Sequence, residues 1–302
     1  MDKTVLILED EVDQAEGLRK ALSAALPQMR FEAYSGEQQI LHAIEHRFYS
    51  LAIVDLRMDK YEIDGLQVIQ TILSVNPFSK IIVVSAYGEE YFQQLNEVLL
   101  SGKVVGLVQK GKFVEFSARL AKTIEDYFSR VERDPSEVNN ALLQYYADAK
   151  NEEDASKKGQ RFEHFISLLF GSFGYKEISK RVKDRSLNEV DLIVRNETDD
   201  PFLTKFGKYI LVECKNYPNR KVNKNDFIVF SSKLTHSNGL AELGVLATTG
   251  HITWNTYLEA IRESAEARKI IFLSNPEIEA VIRATDKREA FKRLIDAQVK
   301  DN

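Results

Sequence analysis

Over the first third of the chain, short β-branched apolar runs alternate with longer stretches whose apolar residues recur every three or four positions. TVLIL (4–8) precedes a helical pattern through Leu18, Leu22 and Leu26, and a strand near Phe31 leads into a helix from Glu37. SLAIVD (50–55), a helix around Leu66 to Leu73, KIIVVS (80–85), a helix from Glu89 and VVGLV (104–108) continue the alternation. Strands joined in this way run parallel and are covered on both faces, so the pattern predicts a doubly wound (βα)5 sheet. A last helix is predicted from Phe113 to Arg130, with Phe116, Leu120, Ile124 and Phe128 on its inner side.

Asp134-Pro135-Ser136 marks a break, because proline suits the first turn of a new helix. That helix runs through Val138, Leu142, Leu143 and Tyr146, and the charged run DAKNEEDASKK (148–158) reads as a solvated linker or helix surface. Its short apolar seam is able to pair two chains into a homodimer, although the seam is not sustained over several heptads. The second half opens with an amphipathic helix over 159–175, with Phe162, Phe165, Ile166, Leu169 and Phe170 inward and Gly174 as its stop. Strands YKEISKRV (175–182), NEVDLIV (188–194) and KYILVECKN (208–216) follow. After them come a helix over 222–236, the strand GVLATTG (244–250), a helix over 252–267 and the strand KIIFL (269–273). The tail from Lys287 reads as an amphipathic helix with a wet basic face.

In a doubly wound sheet ligands gather at the carboxyl ends of the strands, and there this chain places Glu9, Asp10, Asp55, Ser85 and Lys110. Three carboxylates on one edge repel one another unless a cation holds them, and oxygen ligands of this kind suit Mg²⁺. A lysine and a hydroxyl beside them suit a bound anionic group. An unrelated doubly wound domain with acids at its mouth is the alternative. With these residues in these places, the first 122 positions resemble a response-regulator receiver domain of the CheY-like kind. The resemblance implies Asp55 as phosphoacceptor and a sensor histidine kinase as partner. It implies Mg²⁺ held by Glu9, Asp10, Asp55 and the backbone carbonyl of Arg57, with Ser85 and Lys110 on the phosphoryl oxygens. Departures stand beside it. The loop RMDKYEIDG is about two residues longer than is usual in the family, and Asp59 takes the place of its usual proline, although Asp64-Gly65 is kept. Gly111 replaces the proline after Lys110, and Leu107 stands where a switch aromatic is usual.

In YILVECKN an apolar run enters and a polar segment leaves, so the strand ends at a surface with Glu213 and Lys215 on one side and Cys214 on the other. An acid and an amine there are costly to bury unless paired, or unless a metal and substrate occupy the site. A surface ion pair is the bland reading of the same residues. Asp191 lies on the preceding strand, and Phe162-Glu163 on the early helix. Together these resemble the PD-(D/E)xK superfamily, in its Mrr-like restriction-endonuclease branch, from about Lys157 to Leu273. The family's glycine-rich lead into the aspartate is absent, with SLNEVD in its place. The resemblance implies a restriction-endonuclease-like α/β domain with a mixed sheet. Asp191 and Glu213 would hold Mg²⁺ (or Mn²⁺), Lys215 would position or help deprotonate water, and Glu163 would bind a second ion or orient the lysine. The expected division is thus a receiver at 1–122, a helical linker at 123–156 and a nuclease-like domain at 157–302.

Cys214 reads as a core residue facing away from the site, since no base partner for a nucleophile is visible. Trp254 reads as packing and His251 as a solvated turn residue, while Arg220, Lys221 and Lys224 are placed to meet phosphates. A single cysteine forms no internal disulfide, no apolar run reaches membrane-spanning length, and the N-terminus lacks a secretory pattern, which together predict a cytoplasmic protein. The net charge of −5 falls almost wholly on the first 130 or so residues, which argues against a general nucleic-acid coat but leaves the second half near neutral. The leading expectation is a phosphorylation-controlled, metal-dependent nuclease acting on DNA, with RNA left open by these residues. The other is a non-cleaving output module that binds nucleic acid or a partner protein.

Overall fold

The computed structural model describes residues 3–47, 49–76, 79–86, 98–99, 101–133, 135–175, 177–183, 189–237, 239–263 and 268–300. Two compact units divide the chain, one over 2–138 and one over 139–302.

In the first unit β1 (Thr4–Leu8), β2 (Arg30–Tyr34), β3 (Leu51–Asp55), β4 (Lys80–Ser85) and β5 (Val104–Gln109) form a parallel sheet in the order β2-β1-β3-β4-β5. This is the doubly wound sheet that the alternation predicts. β1 and β3 are buried along their whole length, as central strands covered on both sides must be. Their alternate residues feed two cores. Leu6, Leu8, Ala52 and Val54 meet Ile40, Ile44, Val68 and Ile72 of the helices Glu37–His46 and Gly65–Val75. Val5, Ile7, Leu51 and Ile53 meet Leu18, Leu22, Leu120 and Ile124 of the helices Val12–Ala25 and Phe113–Arg133. The helix expected from Glu89 lies outside the described residues.

The start of the Gly65–Val75 helix is pressed against the end of β3. A Cβ at Gly65 would stand 2.0 Å from the Asp55 carbonyl oxygen, so only glycine allows the approach. Asp64 caps this helix by accepting from the Gln67 N–H at 2.8 Å, while the Gln67 side chain accepts from the Asp64 N–H at 2.9 Å.

The second unit holds β6 (Ile178–Lys183), β7 (Glu189–Arg195), β8 (Tyr209–Lys215), β9 (Lys221–Val222), β10 (Ala241–Thr248), β11 (His251–Ile252) and β12 (Lys269–Leu273). Its main sheet runs β12-β10-β8-β7-β6, with β8, β10 and β12 parallel and the β6–β7–β8 meander antiparallel, which is the mixed sheet expected. Phe227, Phe230 and Leu234 of the helix Lys224–Thr235 share a buried cluster with Leu211 and Leu246.

The segment 123–156, expected as a helical linker, is helical over most of its length. Residues 123–133 complete the Phe113–Arg133 helix of the first unit. From 139 onward the helix Pro135–Asn151 belongs to the second unit and buries Leu142, Tyr145, Tyr146 and Ala149. Tyr146 packs on Phe165 at 5.0 Å between ring centroids. Aromatic burial of this kind outweighs the polarity of the neighbouring charges. The following helix starts at Ala155, earlier than Gly159, and ends at Ser172, just before Gly174 with its φ of 96°. Phe173 stacks on Phe291 of the terminal helix Lys287–Lys300 at 4.7 Å. No helix among the described residues is long and apolar enough to cross a membrane.

Candidate functional site

At the carboxyl end of the first sheet, Glu9, Asp10 and Asp55 are all buried, each offering an oxygen within 4.8 Å of the others. Among the described residues this is the one group of three His, Cys, Asp or Glu side chains so close together. Lys110 reaches in from the end of β5 and donates to Asp55 at 2.5 Å, Glu9 at 2.7 Å and Gln14 at 3.1 Å. Backbone N–H groups complete the shell, Arg57 donating to Asp55 at 3.3 Å and Lys60 to Asp10 at 3.2 Å. The Arg57 guanidinium turns to Asp59 at 2.6 Å. Buried Ser85 pairs in register with Gln109, and its carbonyl accepts from the Lys110 N–H at 2.8 Å. Three buried carboxylates against one ammonium leave an excess of negative charge, and the all-oxygen donor set fits a hard divalent cation. Leu107, at the switch position, is 43% exposed.

In the second unit the β7–β8 register pairs Leu192 with Val212, so one step further along Asp191 comes beside Glu213. Asp191 accepts from the Cys214 N–H at 2.7 Å, and Lys215 donates to Glu213 at 2.8 Å. The three residues expected to act together are therefore joined at the ends of two adjacent strands. Glu163, on the Ala155–Ser172 helix, adds its charge to Asp191, but its carboxylate does not complete a group of three with Asp191 and Glu213 inside the same 4.8 Å. Lys233 is the residue that sequence reasoning missed. Its ammonium donates to both Glu213 oxygens, at 2.9 and 3.1 Å. Asn216 was missed as well. Its amide donates to the Ala149 carbonyl at 2.7 Å and the Lys158 carbonyl at 2.8 Å, and its oxygen accepts from Thr249 at 2.8 Å. The end of β8 is thereby tied to two helices and to the residue that follows β10.

Around this end, a Cβ at Gly250 would lie 2.3 Å from the Tyr217 carbonyl oxygen, so the loops leaving β8 and β10 run in close contact. These loops lead to β9 and β11, which pair with each other. They present Arg220 over the Tyr217 ring at 3.6 Å, together with exposed Lys221 and His251. Lys224 pairs instead with Glu259 at 3.0 Å. Trp254 departs from the packing expected of it. It is 69% exposed, stacked on Tyr257 at 5.9 Å, because it begins a helix whose buried side is taken by Tyr257 and Ala260. Cys214, expected in the core facing away from the site, is half-buried, and burial and then the charges of Asp191, Glu163 and Glu213 push its thiol well up.

Two carboxylates are held far from their ordinary range. Burial, then the charge of Asp55, pushes Glu9 up to about 7. Burial, then the charge of Glu213, pushes Asp191 up to about 7. Burial pulls Lys110 and Lys215 down, but hydrogen bonds and charge from their carboxylate partners outweigh it, so both ammonium groups stay protonated. Above the ordinary carboxylate range and below about 7, the folded chain keeps protons at Glu9 and Asp191 that the unfolded chain has lost, so stability falls as pH rises through that window. The melting temperature of metal-free protein is expected to drop between about pH 5 and about pH 7.5, and Mg²⁺ to displace protons when it binds near about pH 6.5. Calorimetry in buffers of different ionisation enthalpy reads the proton release. A parent profile no steeper than that of Glu9→Gln/Asp191→Asn would contradict it.

Residues 5–111 match the family model described as response regulator receiver domain, and residues 155–282 the one described as restriction endonuclease. No curated protein matches the chain. Among solved structures it is similar to a CheY-like receiver domain protein from Methanospirillum hungatei JF-1. That match has 18% identity and a TM-score of 0.37, and covers 44% of this chain and 98% of the other. It is also similar to the REC domain of AraT, a response regulator from Geobacillus stearothermophilus, at 25% identity and a TM-score of 0.36, covering 44% and 99%.

Proposed function

We propose, for a chain that carries a response regulator receiver domain followed by a restriction endonuclease domain, that the second hydrolyses phosphodiester bonds of DNA under the control of Asp55 phosphorylation in the first. The junction of Asp191, Glu213 and Lys215 at the ends of β7 and β8 carries this reading. Hydrolysis places charge on nonbridging and leaving oxygens, and a site for it needs fixed positive groups and an oriented water. Lys215, protonated and held by Glu213, supports a role in donating to a phosphate oxygen or orienting water more than in removing a proton. Asp191 and Glu213 fit as holders of Mg²⁺ or Mn²⁺, since they are oxygen donors side by side on adjacent strands, Glu213 buried and Asp191 half-buried. When bound, such an ion would neutralise phosphate charge and acidify water. Arg220, Lys221 and Trp254, presented beside the same strand ends, suit a phosphate backbone and the face of a base.

In the receiver, Glu9, Asp10 and Asp55 fit a Mg²⁺ site, with Lys110 and Ser85 beside the phosphoacceptor and a sensor histidine kinase as donor. The test is incubation of the full chain with supercoiled, linear and single-stranded DNA, and with RNA, in Mg²⁺ or Mn²⁺, with and without a phosphoryl mimic. Cleavage of DNA whose rate responds to the mimic, and loses that response in Asp55→Ala, is the expected result. No cleavage in any arm would end the nuclease reading, and indifference to the mimic would end the regulatory one. A second reading, a non-cleaving output module, is favoured by one observation: both Glu213 oxygens already have ammonium partners. The same assay separates the two.

A further inference from the structure

The two carboxylate sites differ in how their charge is balanced. Among the described residues Lys110 is the ammonium paired with Glu9 and Asp55, so the three clustered carboxylates of the receiver site keep a surplus of negative charge. At the other site Lys215 and Lys233 both pair with Glu213, so two ammonium groups converge on one carboxylate beside Asp191 and Glu163. Lys215 occupies one Glu213 oxygen, and Lys233 spans both. This is no loose surface pair. The side chain of Glu213 is 4% exposed and that of Lys233 16%, and the helix bearing Lys233 is anchored by buried Phe230 and Leu234 on either side of it. A divalent cation arriving at Glu213 meets an oxygen already hydrogen-bonded to a fixed positive charge, and must displace it and bear its repulsion.

We propose that Lys233 is a built-in rival to the divalent cation, a positioning residue whose ammonium holds Glu213 and sets how weakly metal binds there. The inference rests on the nuclease reading in taking Asp191 and Glu213 as the metal's holders. It goes further by assigning a residue outside the Asp191, Glu213 and Lys215 set and giving its effect a direction. An anionic substrate that draws the Lys233 ammonium toward itself would free Glu213, so that metal and substrate favour one another's binding.

The experiment is Mn²⁺ titration calorimetry on the full-length chain, carrying Asp10→Asn in every arm to silence the receiver cluster. Lys233→Met is expected to bind Mn²⁺ at least ~5-fold more tightly than its parent, because a like charge beside the ion is gone. Lys233→Arg, which keeps the charge, is expected to stay within about twofold of the parent, and Glu213→Gln to lose the binding. Structural damage alone would weaken binding in Lys233→Met and so could not mimic the expected gain. Unchanged or weaker binding in Lys233→Met, with binding lost in Glu213→Gln, would overturn this inference alone. Binding in Glu213→Gln equal to the parent's would overturn both it and the assignment of the metal site.

Discussion

Lys215→Ala is expected to lower the rate of DNA cleavage by about 10³-fold while moving the melting temperature little. The two effects separate because of what remains around Glu213. Without Lys215, Glu213 still has the Lys233 ammonium on both of its oxygens, so no buried carboxylate is left unpartnered and the fold loses about 1 kcal/mol at most. What disappears is the one of the two ammonium groups carried by the strand end itself, fixed there by its 2.8 Å bond to Glu213 and by the anchoring of the next residue, Asn216, to two helices. A donor aimed where charge develops is worth more in the transition state than in the resting site, which is why the loss falls on rate. Glu213→Gln is a blunter variant. It leaves two ammonium groups facing a neutral amide and so mixes a change in stability with a change in chemistry. The measurement is single-turnover cleavage of the substrate the parent cuts best, with melting curves for parent and variant. A Lys215→Ala protein cutting at the parent's rate would end the catalytic assignment.

Much of this site was legible because strand geometry is strict. Alternation along YILVECKN puts Glu213 and Lys215 on one side, and an adjacent strand carrying Asp191 needs only an in-register pairing to join them. The central strands of the first sheet were legible as well, since each apolar run is long enough for a strand and too short for a helix. Lys233 was hidden by its place at the edge of a helical stripe. It stands three residues after Phe230 and beside Leu234, where a lysine reads as the wet border of a buried face. Its position there was the available signal, but only the tertiary packing of that helix shows that the side chain turns toward Glu213.

Asn216 was hidden for a different reason. Its partners are backbone carbonyls at Ala149 and Lys158, which have no sequence signature and sit inside a charged run that composition alone marks as solvated. The helix Asn275–Arg283 did carry a signal, the capping box from Ser274 to Glu277 with a proline in the first turn, which hydrophobic periodicity alone passes over. Trp254 was misread because a large apolar residue is buried far more often than not, a rule that holds least where a helix begins at the mouth of a sheet.

Lys110→Met is expected to destabilise the metal-free protein by about 3 kcal/mol, and Mg²⁺ to restore most of that loss. The substitution keeps an unbranched apolar stem and removes only the ammonium that now sits 2.5 Å from Asp55 and 2.7 Å from Glu9. Glu9, Asp10 and Asp55 would then face one another, buried and within 4.8 Å, with backbone N–H groups as their remaining donors. Part of the strain is relieved by protonation, since Glu9 already holds its proton up to about 7 with the lysine in place, so the loss shrinks in acid and widens above that value. A divalent cation bound by the three carboxylates replaces the missing positive charge, and without a neighbouring ammonium to repel it the ion binds the variant more tightly than the parent. Stabilisation by a ligand grows with the logarithm of its concentration over its dissociation constant, so the variant gains more from a given Mg²⁺ concentration. Urea unfolding at about pH 7.5, in chelator and across a Mg²⁺ series, measures both effects. Equal responses of parent and variant to Mg²⁺ would mean that the lysine and the ion do not share this cluster.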